Sequence, residues 1–375
     1  MKISDIADII NVTEKDPSNS GIDVFVGLEH YDIAEPVIKR FGSTKMLTTA
    51  TKKFEAGDVL IARRNVYLQR ASVARFSGLT SGDSIILRVK KNLCSEKTDY
   101  DTMCQLLPFI LNSINFWDYA NTNADGTMSK RLSPAILQEY EFDLPSIDEQ
   151  KVLVEKLWAA YEVKQSYLRM IDATEEMVKS QFVEMFGDPM TNPLGIPMKK
   201  IKDVCKIIGG SQPPRSQFIY EYKEGYIRFI QIRDYKSNDY ITYIPISSTK
   251  KFCEEDDIMI GRYGPPIFQI LCGIKGAYNV ALMKAVPIGI NKEFLRFYLK
   301  RDELRHHLER FQSRTAGQAG IDMDELYNYP CPYPSAQEQE KWVNILAQAN
   351  KSISELRKSI DAIDKVIKSL INENL

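Results

Sequence analysis

The sequence predicts an α+β fold in which two similar strand-rich domains are separated by two long helices that form an antiparallel coiled coil. Three blocks of sequence recur in the same order in both halves of the chain. Each half also ends in a long run with helical apolar periodicity, and short β-like runs fill the rest. Such a tandem duplication predicts pseudo-twofold symmetry, because each half can make the same contact with the helix of the other.

The repeated blocks lie near the start, in the middle and at the end of each half. KISDIADII (2–10) matches KIKDVCKII (200–208), FEAGDVLIARR (54–64) matches FCEEDDIMIGRY (252–263), and LPSIDEQKVLVEKL (144–157) matches YPSAQEQEKWVNIL (333–346). The offset is about 198 residues for the first two blocks and 189 for the third. The loops therefore differ in length while the framework does not, which is typical of two similar scaffolds with different surface loops.

Each half is predicted to end in a long helix. In the second half, apolar residues alternate at spacings of four and three: Trp342, Leu346, Ala349, Ile353, Leu356, Ile360, Ile363, Ile367 and Leu370. A heptad seam of this length favours a coiled coil over an amphipathic helix lying on a globular core. The seam in the first half, from Leu153 to Gln181, is less apolar and has a second apolar stripe beside it, so this helix has two faces that can pack.

These features divide the chain into five segments. They are residues 1–146 and 199–334 as strand-rich domains, 147–187 and 335–375 as long helices, and 188–198 as the linker. Within the domains, β-like runs are predicted at 58–62, 84–89, 226–232 and 257–261, and short helices at 101–114 and 292–311.

Composition favours a cytoplasmic protein with two apolar cores. The 375 residues are 44% hydrophobic and 26% charged, with no apolar run of the roughly 18 residues that suggest a membrane span. The start of the chain lacks the features of a secretory signal, and six scattered cysteines favour reduced thiols. The net charge of -1 gives no sign of nucleic-acid binding, although residues 39–75 carry nine basic and two acidic side chains.

The motifs of catalysis are missing from the sequence. There is no G-x-x-x-x-G-K-[ST] phosphate loop, and His30, His306 and His307 have no metal-ligand spacing. GRYGPPIF (261–268) lacks the acid or amide that an adenine methyltransferase motif places before its prolines. The run Asp148-Glu149-Gln150-Lys151 looks like a nuclease set, but acidic residues are favoured at a helix start. We therefore predict no catalytic centre and no metal site.

Several motifs occur together in this duplicated framework. They are P-S-x-x-E-Q at the start of each long helix, FVEMFGDP (182–189), D-[VI]-[LM]-I-[AG]-R in each half, and NPLGIPMKKIKDVCKIIGG (192–210). With these motifs in this order, the chain resembles the specificity subunit of type I restriction-modification enzymes over essentially its whole length. The resemblance implies two target-recognition domains, each reading half of a bipartite site in double-stranded DNA.

The resemblance also implies partners. The long helices would set the spacing and dock two DNA methyltransferase subunits, and a motor-nuclease (restriction) subunit is left open as a further partner. The partner methyltransferase, rather than this chain, would bind S-adenosylmethionine and flip the target adenine. Other interpretations remain: a specificity subunit of a type IIB-like system, a stand-alone DNA-binding regulator, or a structural coiled-coil adaptor, although an adaptor would not explain two differently decorated copies of one scaffold.

Candidate DNA-contacting residues follow from chemistry, because arginine reads guanine and asparagine or glutamine reads adenine in the major groove. In the first domain they are Arg63, Arg64, Asn65, Tyr67, Arg70, Lys130 and Arg131, with Gln69 nearby. In the second they are Gln212, Arg215, Arg233, Arg262, Tyr263, Gln269, Arg314 and Gln318, with Lys236 nearby. The alternative for Arg63 and Arg262, which occupy duplicated positions, is an internal ion pair with the scaffold.

Overall fold

The computed structural model describes residues 1–127, 129–264, 266–311, 313–315 and 318–375, without the side chains of 312–319. The chain divides into two compact units. The first unit comprises residues 1–170 and 355–375, and the second comprises residues 171–354. Each unit therefore contains one strand-rich domain and a part of each long helix.

The first unit is built mainly of short strands. Its strands are β1 (Ala7–Ile10), β2 (Thr13–Glu14), β3 (Val24–Val26), β4 (Gly42–Ser43), β5 (Thr51–Phe54), β6 (Val59–Ala62), β7 (Ala71–Val73), β8 (Gly78–Thr80) and β9 (Ser84–Val89). Its helices are α1 (Ile3–Ile6), α2 (Tyr100–Ile110), α3 (Ile114–Asn123), α4 (Pro134–Gln138) and the first part of α5 (Ile147–Phe186).

The second unit has the same kinds of element. Its strands are β10 (Met198–Lys200), β11 (Cys205–Gly209), β12 (Tyr226–Ile230), β13 (Tyr243–Pro245), β14 (Phe252–Cys253), β15 (Ile258–Gly261), β16 (Gln269–Leu271), β17 (Gly276–Tyr278), β18 (Leu282–Pro287), β19 (Ser313–Thr315), β20 (Gln318–Gly320) and β21 (Pro330–Pro332). Its helices are α6 (Ile201–Val204), α7 (Lys292–Leu299), α8 (Asp302–Arg310), α9 (Met323–Asn328) and the first part of α10 (Ala336–Asn374).

The two units share a strand order. One antiparallel sheet runs β1-β9-β6-β7 in the first unit and β11-β18-β15-β16 in the second. A second sheet in each unit contains one parallel pair, β3 with β8 and β12 with β17. The duplication predicted from the sequence is thus present in the topology, and the fold class of two strand-rich domains with long helices is confirmed.

The repeated aspartate before β6 and β15 closes a turn. The Asp58 carboxylate accepts a hydrogen bond from the Glu55 backbone N–H (2.7 Å) and bonds Arg88 through both oxygens (2.7 and 2.8 Å). Asp257 likewise accepts from the Glu254 backbone N–H at 2.8 Å. This part of the D-[VI]-[LM]-I-[AG]-R block is structural, because it fixes where the strand begins and so where the arginine at its end emerges.

The P-S-x-x-E-Q motif fixes the start of each long helix. Ser335 and Glu338 form a capping box in which the Ser335 backbone N–H donates to the Glu338 carboxylate at 2.8 Å and the Glu338 N–H donates to Ser335 Oγ at 3.3 Å. Ser146 and Glu149 make the same contacts. The hydrogen bond from serine holds the pKa of each glutamate below its ordinary value. The helix-start interpretation of Asp148-Glu149-Gln150-Lys151 therefore agrees with the structure.

We expect Ser335→Ala to lower the free energy of unfolding by about 1 kcal/mol, because the cap on the first turn of α10 is lost. Denaturant unfolding monitored by circular dichroism would measure it. Ser352→Ala is the matched control, since Ser352 is an exposed serine inside the same helix. Equal losses in the two variants would contradict a capping role.

Both long helices contribute to each unit. In the first unit, Lys164 Nζ of α5 lies 2.6 Å from Asp364 Oδ1 of α10, and Ile371 of α10 is buried in the same apolar cluster as Leu157 of α5. In the second unit, Phe182 of α5 packs in an apolar cluster with Trp342 of α10. The helix bounds agree with the sequence analysis, while the antiparallel coiled coil stays a prediction.

Each of the two short helices predicted in the domains is a pair of helices in the structure. The helix predicted at 101–114 is two helices, because Ser113 caps a new helix by accepting from the Phe116 N–H at 3.1 Å. The helix predicted at 292–311 is also two, α7 and α8, with the break at residues 300–301. Over the described part of the chain, no helix combines the length and apolarity required to traverse a bilayer.

Candidate nucleic-acid interface

Three segments of the first unit meet at the end of β6. The Arg63 backbone N–H donates to the Asp83 carbonyl at 3.0 Å, and the Leu132 N–H donates to the Arg63 carbonyl at 2.9 Å. The Asn65 N–H donates to the Lys130 carbonyl at 2.9 Å. The predicted residues 63–65 and 130–131 are therefore brought together, beside the turn that precedes β9.

Asp83 stands between two of the predicted arginines. Its Oδ2 lies 2.8 Å from Arg64 Nε, and its Oδ1 accepts a hydrogen bond from Arg131 Nη2 at 3.0 Å. The side chains of Arg64 and Arg131 are 49% and 40% exposed. One carboxylate thus holds two guanidinium groups whose outer parts reach solvent.

Two further cations make this part of the first unit positive. Lys52 Nζ donates to the Ser84 carbonyl at 3.0 Å, and burial, followed by the positive charge of Arg63, lowers the pKa of Lys52. The Nε of Arg63 is buried and has no hydrogen-bond partner among the described residues. The expected alternative, an internal ion pair of Arg63, is not formed with any described residue. We name Lys52, Arg63, Arg64, Asp83 and Arg131 the arginine cluster.

A strained turn presents Tyr67. Asn65 and Gln69 have positive φ angles, 55° and 50°, on either side of the short 3-10 turn Val66–Leu68. Left-handed backbone is unfavourable for residues with a side chain, and strain of this kind clusters at functional sites. Ser129 Oγ donates to Asn65 Oδ1 at 2.9 Å, while Tyr67 is 62% exposed. The turn therefore offers an aromatic ring beside the arginine cluster.

Arg70 and Lys130 are turned inward. Arg70 donates to the carbonyls of Leu28 (2.9 Å) and Arg64 (3.0 Å), and burial lowers its pKa. Lys130 Nζ donates to the Asn121 carbonyl. These two side chains hold the loops that carry the exposed residues, although their role as DNA contacts stays a prediction.

Several basic residues of the run 39–75 are paired with acidic residues in the structure. Several of its cations pair with acids that lie elsewhere in the sequence of the first unit: Arg40 with Asp32 (2.6 Å), Lys53 with Glu14 (2.7 Å), Lys39 with Glu35 (3.1 Å) and Arg75 with Glu162 (3.7 Å). Part of the surplus of positive charge in this run therefore lies at the arginine cluster, which contains Lys52, Arg63 and Arg64.

The equivalent corner of the second unit has different chemistry. The Arg262 N–H donates to the Ala281 carbonyl at 2.8 Å, so Ala281 occupies the place that Asp83 has in the first unit. The Arg262 guanidinium lies 5.3 Å from the ring centroid of Tyr263, and its Nε is buried without a partner among the described residues. Gln269 Nε2 donates to the Pro266 carbonyl at 2.9 Å. Within the described residues Arg262 forms no internal ion pair, as with Arg63.

Other predicted residues of the second unit are distant in sequence from Arg262. Gln212 and Arg215 line a cavity of about 490 Å³ together with Phe218, Phe229 and Gln231. Arg314 and Gln318 lie on β19 and β20, and their side chains fall outside the described residues. Gly320, at the end of β20, forms an antiparallel bridge with Tyr263, so this hairpin reaches the corner.

Arg233 packs on an exposed aromatic ring. Its guanidinium lies 5.3 Å from the ring centroid of Tyr240, and its Nε lies 3.9 Å from Asp234 Oδ1. Burial raises the pKa of Asp234. Lys236, which follows on the same loop, is exposed. This loop combines a cation with an aromatic face, which suits contact with a nucleic acid.

Comparison with known proteins finds a family match for part of the chain. A family model described as type I restriction modification DNA specificity domain matches residues 193–364.

Those residues belong to that family. The resemblance predicted from the sequence is confirmed, and residues 193–354 of the second unit are called the specificity domain from here on.

One curated relative also matches part of the chain. The chain is 22% identical over 196 residues to the Type I restriction enzyme MjaVIII specificity subunit of Methanocaldococcus jannaschii, which covers 52% of this chain and 45% of that protein. The match thus spans about half the length of this curated relative.

Two solved structures share the fold over the whole chain. One comes from a study of the structural basis of complex assembly and conformational transition of the type I R-M system. This match has a TM-score of 0.57 and 17% identity, and it covers 100% of this chain and 97% of the other chain. The other, the S subunit of a Type-I restriction-modification system from M. genitalium, has a TM-score of 0.55 and 14% identity, and covers 100% and 95%.

Two kinds of residue at the candidate interface were not predicted from the sequence. Asp83 was missed because only hydrogen-bond donors and amides were sought, although its position in the turn before a predicted strand was a usable signal. In the specificity domain, exposed tyrosines were missed: Tyr220, Tyr222 and Tyr240. Among the described residues, no group of three or more histidine, cysteine, aspartate or glutamate side chains could hold a metal ion.

Proposed function

We propose that this chain is the DNA sequence-specificity subunit of a type I restriction-modification complex, in which each strand-rich domain reads one half of a bipartite target. One observation carries the proposal. Two units with the same strand order present different side chains at the equivalent corner, with Arg64 and Asp83 in the first and Tyr263 and Ala281 in the second. One scaffold with two reading surfaces suits a target with two different halves.

The first domain offers chemistry for both parts of DNA recognition. Arg64 and Arg131 expose guanidinium groups, which bond guanine edges or phosphates, and Lys52 and Arg63 add positive charge. The specificity domain offers Arg233 on Tyr240, Arg262 on Tyr263, and the amides of Gln212 and Gln269. Glutamine amides pair with adenine edges in the major groove, so the two domains suit different half-sites.

The chain would act without catalysis of its own. Two DNA methyltransferase subunits would dock on it, bind S-adenosylmethionine and methylate adenine within each half-site. The first part of α5 supports docking, because Val152 and Val163 lie three turns apart on one helix face and are both exposed. Exposed apolar residues aligned on one helix face are typical of a surface that packs against a partner.

The test is to express the chain with an adenine methyltransferase encoded beside it and to map methylated bases in the host genome. We expect methylation at a bipartite sequence only when both proteins are present. Purified alone, the chain should transfer no methyl group to DNA. A stand-alone regulator would instead bind its site with full affinity in the absence of the methyltransferase.

Two variants examine the division into half-sites within the same experiment. Arg63→Ala should weaken or relax recognition of one half only, and Arg262→Ala the other half only, each by about 1–3 kcal/mol if a base contact is lost. Effects at separate sites with no shared partner are expected to add in the double variant. If either single change altered both halves, the two-reader proposal would be wrong.

A further inference from the structure

Asp83 sits in a turn that is itself held firmly. The Asp83 backbone N–H donates to Ser81 Oγ at 3.1 Å, and its carbonyl accepts from the Arg63 N–H at 3.0 Å. The Ser84 N–H donates to the Ser81 carbonyl at 3.0 Å, which joins the turn to β9. The backbone of Asp83 is therefore held by the turn, and its short side chain carries the carboxylate close to this fixed point.

Arg64 uses only one edge of its guanidinium to meet this carboxylate. Its Nε lies 2.8 Å from Asp83 Oδ2. Among the described residues, no hydrogen bond to the two terminal nitrogens of Arg64 is found, and about half of the side chain is exposed. Because a guanidinium is a rigid planar fork, holding one edge fixes the direction of the other donors. Two parallel donors on the side of the guanidinium away from Asp83 would match O6 and N7 of guanine in the major groove.

The charge of Asp83 favours a base over the sugar-phosphate backbone. A carboxylate beside Arg64 and Arg131 offsets part of their positive charge, so it weakens sequence-independent attraction to phosphate. An arginine that only holds phosphate can bind in several orientations, so a carboxylate that fixes one orientation gives it less advantage. An arginine that must keep one orientation gains from it, since less rotamer freedom is lost when it binds.

We propose that Asp83 is a positioning residue, which orients Arg64 to read a guanine in the half-site of the first domain. The inference rests on the proposed function of the chain. The specificity domain carries Ala281 at the equivalent place, so this device belongs to one half of the target only.

The experiment measures binding of the assembled methyltransferase complex to duplexes in which each base pair of the target is replaced in turn. Relative to the parent complex, the Arg64→Ala variant should show a preference for one G·C pair that is lower by about tenfold, which is the size expected for loss of a bidentate contact. Asp83→Ala should lower the preference at the same pair by a similar factor and leave the other half-site unchanged. Asp83→Glu, which keeps a carboxylate, should restore most of the preference.

Two further variants keep the result interpretable. Asp32→Ala removes another surface carboxylate paired with an arginine of the first unit, Arg40, and should leave the base preference unchanged. If Asp83→Ala does not assemble, Asp83→Asn, which retains the shape of the side chain, takes its place. In the double variant with Arg64→Ala, the effect of Asp83→Ala on base preference should disappear, because both changes remove one contact.

The possible outcomes distinguish failure of the proposed function from failure of the role of Asp83. A parent complex without a bipartite target would overturn the proposed function. A parent that reads such a target, but whose Asp83→Ala variant keeps every base preference or changes affinity equally for all sequences with a new salt dependence, would overturn the role of Asp83 alone.

Discussion

Trp342→Ala is expected to lower the free energy of unfolding of the second unit by about 3–5 kcal/mol, the range for removing a large buried aromatic side chain. Trp342 is fully buried, with its ring centroid 4.9 Å from that of Phe297 and 5.2 Å from that of Phe182. It therefore joins α10, α7 and α5 within one aromatic cluster. Denaturant unfolding followed by near-ultraviolet circular dichroism would measure the loss.

Two variants test this explanation. Trp342→Phe should cost much less, because it keeps an aromatic ring and removes an indole N–H that is buried without a partner among the described residues. Val366→Ala removes an exposed apolar side chain from the same helix and should change stability by less than about 0.5 kcal/mol. Since alanine is a better helix former than either residue, a loss in Val366→Ala as large as in Trp342→Ala would mean that burial in the aromatic cluster does not explain the effect at Trp342.

Insertion of four residues after Glu175 of α5, with four matching residues after Ser354 of α10, is expected to abolish methylation at the parental target. Methylation should move to a target with the same two half-sites and a different spacer. Four residues lengthen a helix by about 6 Å and rotate it by only about 40° beyond a full turn, so the apolar face is nearly preserved. Methylome mapping of the variant and parent would measure both effects.

The control is an insertion of two residues at the same places. It rotates the rest of α5 by about 200°, so Ile171 and Val178, which are seven residues apart and both buried, no longer share a helix face. We expect this variant to lose methylation altogether through instability. If the four-residue variant recognised different bases within the half-sites, the helices would not be simple spacers.

The sequence was informative where contacts are local or repeated. Ser335 and Glu338 are three residues apart, so their capping box could be predicted from the motif alone, and the repeat located the equivalent pair in the first half. The heptad pattern located α10, including the fully buried Trp342. Periodicity and local motifs are sufficient for such elements because helices are formed by near neighbours.

The candidate interface was less accessible from sequence, because its residues are distant along the chain. Arg64 and Arg131 are brought to Asp83 by the pairing of β6 with β9 and by the return of the chain at Leu132. No local pattern encodes that meeting. Arg70 and Lys130 had the residue type expected at a DNA contact, yet their donors bond backbone carbonyls. Which donor remains exposed depends on tertiary contacts.

The glutamine that ends the P-S-x-x-E-Q motif has a consequence for how such proteins can change. Gln150 Nε2 donates to the carbonyls of Pro145 (2.9 Å) and Lys97 (2.6 Å). Gln339 Nε2 donates to the carbonyl of Pro334 (2.9 Å), and its Oε1 accepts from the Asn291 N–H (2.8 Å). Because these two glutamines bond backbone groups, their contribution to the joint between domain and helix does not depend on which side chains the reading loops carry. The loops can therefore change in sequence while these contacts at the start of the helix are kept. New specificities can arise in this way without changes to the domain scaffold or the long helices.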